Sequence, residues 1–441
     1  MKQRLPWTGA GILSMVALVA SCDDGTTGAG GSDSTGSKST GATMTSTSSA
    51  SMSTSSNGGA ASSSAAQFMT GSTGAGGTCN AGPDEDKDGD GYTINQGDCN
   101  DCDANVNPNA VEVKITEPDP MTGMVPEPAD EDCDTMIDNV APPCDAGLAA
   151  DGTAEDAARA IEICKTSSDV KHWGLVQASY VRANGNPYGT QEPLQHGILA
   201  NFGTFVGPRA GERLVALSSG RARLPGQAGA ATGRNMKSKA GSPPPAFPQA
   251  VMGCAGGTTI NDDVALQVVL RAPSNATGYK FDFRFNTFEY PQWICTKFND
   301  QFIALVDPPP MGAVNGNISF DSKNNPVSVN IAFFDVCATC MNYAQNCMGT
   351  CPMAPNPCCP STAMDLTGTG FENSFVPNGE TGGGTTWLQT QAPIGHGDEF
   401  LIRFSIWDTG DQNLDSTAIV DNFQWIANGG TVKVETMEPP Q

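Results

Sequence analysis

Histidine is almost missing from this chain: there are 3 in 441 residues, at positions 172, 196 and 396, far apart in sequence. Imidazole-rich metal centres and histidine-dependent nucleophile pairs therefore have little to be built from. Basic residues are also scarce. The 23 Lys and Arg face 47 Asp and Glu, a formal charge of -24, which excludes a nucleic-acid surface, where clustered Lys and Arg are needed. Charged residues make up only 16% of the chain, beside 51 Gly and 31 Pro, a composition at odds with long helical arrays and coiled coils. Beyond the N-terminus no run of 18 apolar residues occurs, so no membrane-spanning helix is expected. The signatures GxSxG, HExxH and GxxxxGK(S/T) are missing too, which removes the usual hydrolase, metalloprotease and nucleotide-binding sites.

Cysteine, by contrast, is plentiful at 15. An exported chain oxidises such cysteines, whereas a cytosolic one keeps them for metal or redox chemistry. The N-terminus points outward. Lys2 and Arg4 precede an uncharged, mostly apolar stretch from Gly9 to Ala20, which suits the h-region of a signal peptide and is short for a bilayer span. Val19-Ala20-Ser21-Cys22 resembles the bacterial lipobox, which implies lipidation of Cys22 and attachment to a membrane through that lipid. An ordinary signal peptide is the alternative. Residues 23–78 are dominated by Ser, Thr, Gly and Ala, with Phe68 the only aromatic. Such a segment cannot bury enough apolar surface to offset its ordering entropy, and it reads as a disordered tether reaching about 40 Å.

The acidity is local. Residues 81–140 hold 17 carboxylates and two lysines, and the carboxylates are patterned. Asp84, Asp86, Asp88 and Asp90 alternate through a loop with Gly89 and Gly91, and Asp98, Asp101 and Asp103 follow around Cys99 and Cys102. Asp130, Glu131, Asp132 and Asp134 form a third group around Cys133, with Asp138 close behind, and of these Asp132, Asp134 and Asp138 are the expected ligands. Ca²⁺ takes six to eight hard oxygen ligands, and alternating Asp in a Gly-containing loop lets several oxygens converge. An EF-hand would place Glu at the twelfth loop position, but counting from Asp84 or Asp86 reaches Asn95 or Gly97, so this is not one. The order DxDGDGY, DC-x-D-CD, VNP-x-A-x-E and DxDCD resembles the metal-binding motif repeat of bacterial surface proteins, named after a copper-binding outer-surface protein of methanotrophs. The resemblance implies a bound metal. The residues favour Ca²⁺ over copper, because residues 79–143 lack histidine and copper sites want imidazole or soft sulfur. A solvated acidic linker is the competing reading.

Asp151 to Lys165 is expected to be a helix, with Thr153 and Asp156 as a capping box and Ala157, Ala160, Ile161 and Cys164 on one face. Cys144 and Cys164 bracket it, so a disulfide between them would tie the helix to the acidic module. From about residue 170 the period becomes two. Tyr279, Phe281, Phe283 and Phe285 alternate with polar residues, as do the sets starting at Val264, Val327 and Phe400. This predicts antiparallel strands with one polar face, packed as a β-sandwich. The stretch 221–249, rich in Gly, Pro, Arg and Lys, is expected to be a surface loop outside the core.

Four pieces of this region, Gly211 to Gly220, Tyr279 to Pro291, Cys295 to Val306 and Ile402 to Phe423, resemble the choice-of-anchor L domain of bacterial cell surfaces over roughly residues 170–427. Joined to the lipobox and the metal-binding repeat, they give the chain the look of a myxobacterial-type surface lipoprotein. Two further features carry candidate chemistry. Asp408, Asp411 and Asp415 fall within eight residues and, with Glu289 or Asp300, are a second candidate metal set, the alternative being an ordinary Asp-rich β-turn. Six cysteines crowd into 337–359, spaced acceptably for zinc but better suited to disulfides in an exported chain. Without Cys22, 14 cysteines remain, an even number compatible with full pairing.

The expected fold class is therefore mainly β: a disulfide-braced antiparallel β-sandwich preceded by a small loop-rich acidic metal-binding module and a disordered tether. The boundaries expected are 1–21 signal peptide, 22–78 tether, 79–143 acidic module, 144–167 helical joint, 168–430 sandwich and 431–441 tail. The expected function is binding or adhesion at the cell envelope, on the outer membrane or cell surface, toward a surface glycan or protein. No enzyme and no nucleic-acid partner is expected. The rivals are a polysaccharide hydrolase with carboxylates paired across a cleft at roughly 5–10 Å, and a purely structural envelope protein.

Overall fold

A computed structural model describes residues 80–439, except 115–117, 119–122, 126, 190–193, 231–238, 291–292, 330–333, 338–362, 373–381 and 428–429. Cys22, the tether and nearly all of the 337–359 cysteine cluster lie outside the described residues.

Two antiparallel sheets are packed face to face. The strands are β1 (Gly174–Val181), β2 (His196–Leu199), β3 (Leu214–Ser218), β4 (Ile260–Arg271), β5 (Ala276–Thr287), β6 (Gln301–Asp307), β7 (Val327–Ser328), β8 (Phe334–Cys337), β9 (Gly383–Thr385), β10 (Leu388–Pro393), β11 (Glu399–Thr409), β12 (Ser416–Ala427) and β13 (Glu435–Met437). One sheet runs β1-β4-β11-β6-β7 and the other β13-β10-β5-β12-β3-β2, with β9 joining β5 to β8. The period-two residues supply the core between them. Val264, Leu266, Val268 and Leu270 of β4 and Phe400, Ile402, Phe404 and Ile406 of β11 face the aromatic row of β5, all of them buried. Tyr279 stacks on Phe400 at 4.9 Å, Phe281 meets Phe404 edge-on at 4.9 Å, and Phe283 lies 5.1 Å from Phe302. Each such ring buried contributes about 2–3 kcal/mol from apolar area alone. Of the set starting at Val327, Val327 and Val329 are buried, while Ile331 and Phe333 lie outside the described residues.

The polar faces do not meet water as the alternation suggested. Asp282, Arg284 and Asn286 of β5 are at most 2% exposed. A second apolar layer covers that side, where Phe202, Val206, Leu366 and Phe371 pack on Leu214, Ala216 and Ile419. Two of the charged groups beneath it are paired: Asp282 accepts from Arg209 at 3.1 Å and from Asn422 at 2.9 Å, and Arg284 donates to Asp365 at 3.1 Å. The 221–249 stretch is also not wholly surface, because Phe247 is buried against Trp407 at 6.1 Å.

The helix is shorter than its apolar pattern suggests. It spans Ala154–Arg159, with both capping-box bonds of Thr153 and Asp156 present. A Schellman turn ends it, in which Ile163 N–H donates to Ala158 C=O at 3.0 Å and Glu162 N–H to Arg159 C=O at 3.1 Å. Glu162 takes the left-handed position usually given to glycine, with φ 68°. Disulfides join Cys144 to Cys164, Cys99 to Cys133 and Cys254 to Cys295, and Cys102 is disulfide-bonded as well.

Candidate functional site

Residues 80–143 contain only one helical turn, Ile94–Gln96, among those described. Carboxylates, not a hydrophobic core, organise this part. Asp86 accepts from Gly89 N–H at 2.7 Å and Gly91 N–H at 3.0 Å. Both glycines have positive φ, 84° and 96°, which is why glycine stands there. The loop so folded brings Asp86, Asp88 and Asp90 together, and Asp88 is shared with Asp98 and Asp101, each trio having oxygens within 4.8 Å of one another. Asp101 accepts from Lys87 N–H at 3.0 Å, which pins the second loop on the first. One oxygen each of Asp88, Asp90 and Asp98 is sealed from solvent and accepts no hydrogen bond. Burial first, then the neighbouring carboxylates, holds the carboxyls of these three above the usual range, against the opposing pull of backbone N–H bonds.

A second centre lies across the Cys99–Cys133 disulfide. Glu112 is shared by two trios there, one with Asp130 and Asp132 and one with Glu131 and Asp138. Asp130 plays the part Asp86 plays in the first centre, accepting from Asp134 N–H at 3.0 Å and Thr135 N–H at 2.9 Å. Glu112 Oε1 accepts from Asp132 N–H at 3.2 Å, while Glu112 Oε2 and Asp138 Oδ1 are buried without a donor. Burial is again the main cause that raises Glu112, Glu131 and Asp132.

Seven of the ten predicted ligands thus converge: Asp86, Asp88, Asp90, Asp98, Asp101, Asp132 and Asp138. Asp84, Asp103 and Asp134 stand outside the trios and serve local bonds instead, to Asn95 at 2.7 Å, Asn105 at 3.0 Å and Asn139 at 2.6 Å. Glu112, Asp130 and Glu131 belong to the acidic clusters of the sequence but were not among the expected ligands, and they join the trios. Asp130 was legible as the counterpart of Asp86, and Glu112 as the closing residue of the VNP-x-A-x-E piece.

The VNPNA segment between the centres docks the module on the sandwich. Asn275 donates to Val111 C=O at 2.8 Å and accepts from Val111 N–H at 2.9 Å. Trp173 donates from Nε1 to Ala110 C=O at 3.1 Å and from its backbone to Asn109 at 2.8 Å. A groove of about 590 Å³ opens beside this contact, lined among others by Asp90, Tyr92, Asn105, Lys171 and His396.

The second predicted set divides. Asp411 accepts from Asn413 N–H at 3.1 Å in an ordinary Asx turn, whereas Glu289, Asp300, Asp408 and Asp415 are buried at strand ends in the sandwich. Among the described residues, the trios with oxygens within 4.8 Å all belong to the acidic module. No described helix is long and apolar enough to cross a membrane.

No curated protein and no solved structure proved similar to this chain. The profile of the choice-of-anchor L domain matches residues 195–422, more than half of the sequence. That span runs from β2 into β12 and so takes in most of both sheets. The chain belongs to the choice-of-anchor L family, a family of cell-surface domains that is not a known enzyme family.

Proposed function

We propose that this is a lipid-anchored cell-surface binding protein whose acidic module is held in shape by Ca²⁺. The observation that carries the reading is the set of buried, undonated oxygens on Asp88, Asp98 and Glu112, each in a trio spanning 4.8 Å or less. Carboxylates this close repel one another, and a divalent ion removes that repulsion. The donors are oxygen throughout, which suits Ca²⁺ and gives copper neither imidazole nor sulfur. Cys22 supplies the anchor and the Ser/Thr/Gly tether the reach. The groove beside Tyr92, Asn105 and Lys171 is the place where a surface glycan or protein would bind, since it joins polar groups to an aromatic ring and abuts the first centre.

Calcium titration of the mature chain tests the module. Ca²⁺ should raise its melting temperature, and Asp88→Asn with Glu112→Gln, one ligand from each centre, should remove most of that rise. A melting temperature indifferent to Ca²⁺ in the native protein would sink the reading. A glycan and protein array probed with and without Ca²⁺ tests the binding role, with Tyr92→Ala expected to reduce any signal. Fatty-acid labelling that survives Cys22→Ser would refute the anchor.

A further inference from the structure

The groove at the contact of module and sandwich is walled from both sides. The module supplies Asp90, Tyr92, Asn105 and Asn109, and the β domain supplies Lys171 and His396. Its side chains are amides, charged groups and one aromatic ring, with no Leu, Ile, Val or Met among them. At about 590 Å³ it has the size of an ordinary small-ligand site.

These groups are fixed from behind. Tyr92 N–H donates to Asp90 Oδ1 at 2.8 Å and its hydroxyl donates to Lys171 C=O at 3.3 Å, so the ring is held at both ends. Asn109 accepts from Trp173 N–H at 2.8 Å through its side-chain oxygen, which leaves its amide nitrogen for a ligand. His396 Nδ1 lies 2.6 Å from Ser274 C=O. A carbonyl only accepts, so the proton sits on Nδ1, and Nε2 is left for a ligand hydroxyl. Lys171 is exposed, and its backbone N–H donates to Asp169 at 2.7 Å. Its ammonium enters none of the ion pairs among the described residues, because the Asp169 carboxylate on the same loop is taken up by His172 at 2.8 Å.

In a chain of formal charge -24, a groove that presents an unpaired ammonium is an exception. Asp90 is the one carboxylate in its lining, and it belongs to the first trio with Asp86 and Asp88. Resting on the Ca²⁺ reading of that centre, we propose that the groove is a Ca²⁺-dependent site for an anionic saccharide, a sugar bearing a carboxylate or a sulfate. The negative face of the Tyr92 ring attracts the C–H groups on one face of a sugar. Asn109 and His396 meet its hydroxyls. Lys171 meets its charge, and as a point charge it serves carboxylate and sulfate alike. The ion acts in two ways. It cancels the negative charge of the trio, which at this range would repel an anion with little screening. It also holds Asp90, whose Oδ1 accepts the Tyr92 N–H, so the aromatic wall is set by the metal loop. An acidic peptide would match the charge but has no flat C–H face for the ring.

The test titrates the full mature chain, loaded with Ca²⁺, with oligosaccharides bearing glucuronate, sialate or sulfated galactose. Each is paired with its uncharged counterpart, and a poly-glutamate peptide is run beside them. At least one charged sugar should bind roughly tenfold or more tightly than its counterpart, and should weaken by as much in chelator. Lys171→Ala should erase that preference and leave the Ca²⁺-dependent rise in melting temperature intact, whereas Lys171→Arg should keep both. Carboxylated and sulfated sugars, scored separately, tell which anion the groove takes. Equal affinity for charged and uncharged sugars overturns the proposal, as does a preference that survives Lys171→Ala or persists in chelator. Binding of poly-glutamate alone overturns it too and assigns the groove to an acidic protein segment. If no saccharide binds while the melting temperature still rises with Ca²⁺, this proposal falls and the calcium reading of the module stands. A melting temperature indifferent to Ca²⁺ takes both down.

Discussion

Glu162 concentrates two unfavourable features in one residue. It holds a left-handed backbone, φ 68°, and its side chain is turned inward toward Asp421. Burial first, then the facing carboxylate, pushes Glu162 up to about 9 and leaves Asp421 at about 7. Asp145 adds further repulsion to Glu162, while Arg209 N–H and Asn422 N–H bond to Asp421. The pair therefore holds more protons folded than unfolded between the ordinary carboxyl range near 4.5 and about 9. Stability from this pair is complete below that window and is lost as pH rises through it. Thermal melts from pH 5 to 9 should show a falling contribution, and Glu162→Gln should flatten it. An unchanged slope in that variant would mean the two carboxyls do not share a proton.

At the scale of elements, local pattern and tertiary demand can be separated. The rows on β4, β5 and β11 were legible because each alternates large apolar residues with polar ones, and the apolar set of each is buried between the sheets. Phe281→Ala should cost about 3–5 kcal/mol, since a fully buried ring leaves a cavity that two sheets cannot collapse to fill; urea denaturation would measure it. Burial of the polar faces was not legible, because the covering residues, Phe202 and Phe371 among them, lie more than 70 positions from β5 in the chain. The helix shows both effects. Its start follows from Thr153 and Asp156 alone, and Thr153→Ala should cost about 1 kcal/mol by the loss of one cap. Its end does not follow from pattern, because Glu162 leaves the helix to meet Asp421 on a distant strand. A Thr153→Ala midpoint indistinguishable from wild type would show that packing of Ala157 and Ala158, not the cap, holds this turn.

Across the whole molecule, the acidic module is not simply strung before the sandwich. Asn107 and Asn109 are 0% and 5% exposed although both are polar, and their bonds run to Ser274 and Trp173 of the β domain. The VNPNA part of the module thus acts as a clip, while the carboxylate loops on either side gather the trios. Spacing in sequence revealed the loops but could not reveal the clip, whose partners lie more than 60 positions away. Asn275 is the strongest single fastening, fully buried and bonded to both the N–H and the C=O of Val111. Asn275→Ala leaves those two backbone groups without partners, at about 1–3 kcal/mol each while they stay buried. The less costly response is for the segment to lift into water. Amide exchange followed by mass spectrometry should then rise at least tenfold across residues 109–113 and leave β5 and β11 as protected as before. If β5 loses protection equally, Asn275 is part of the sandwich's own stability and the clip is not a separable joint; if neither segment changes, the module is held by Trp173 and the carboxylate loops instead.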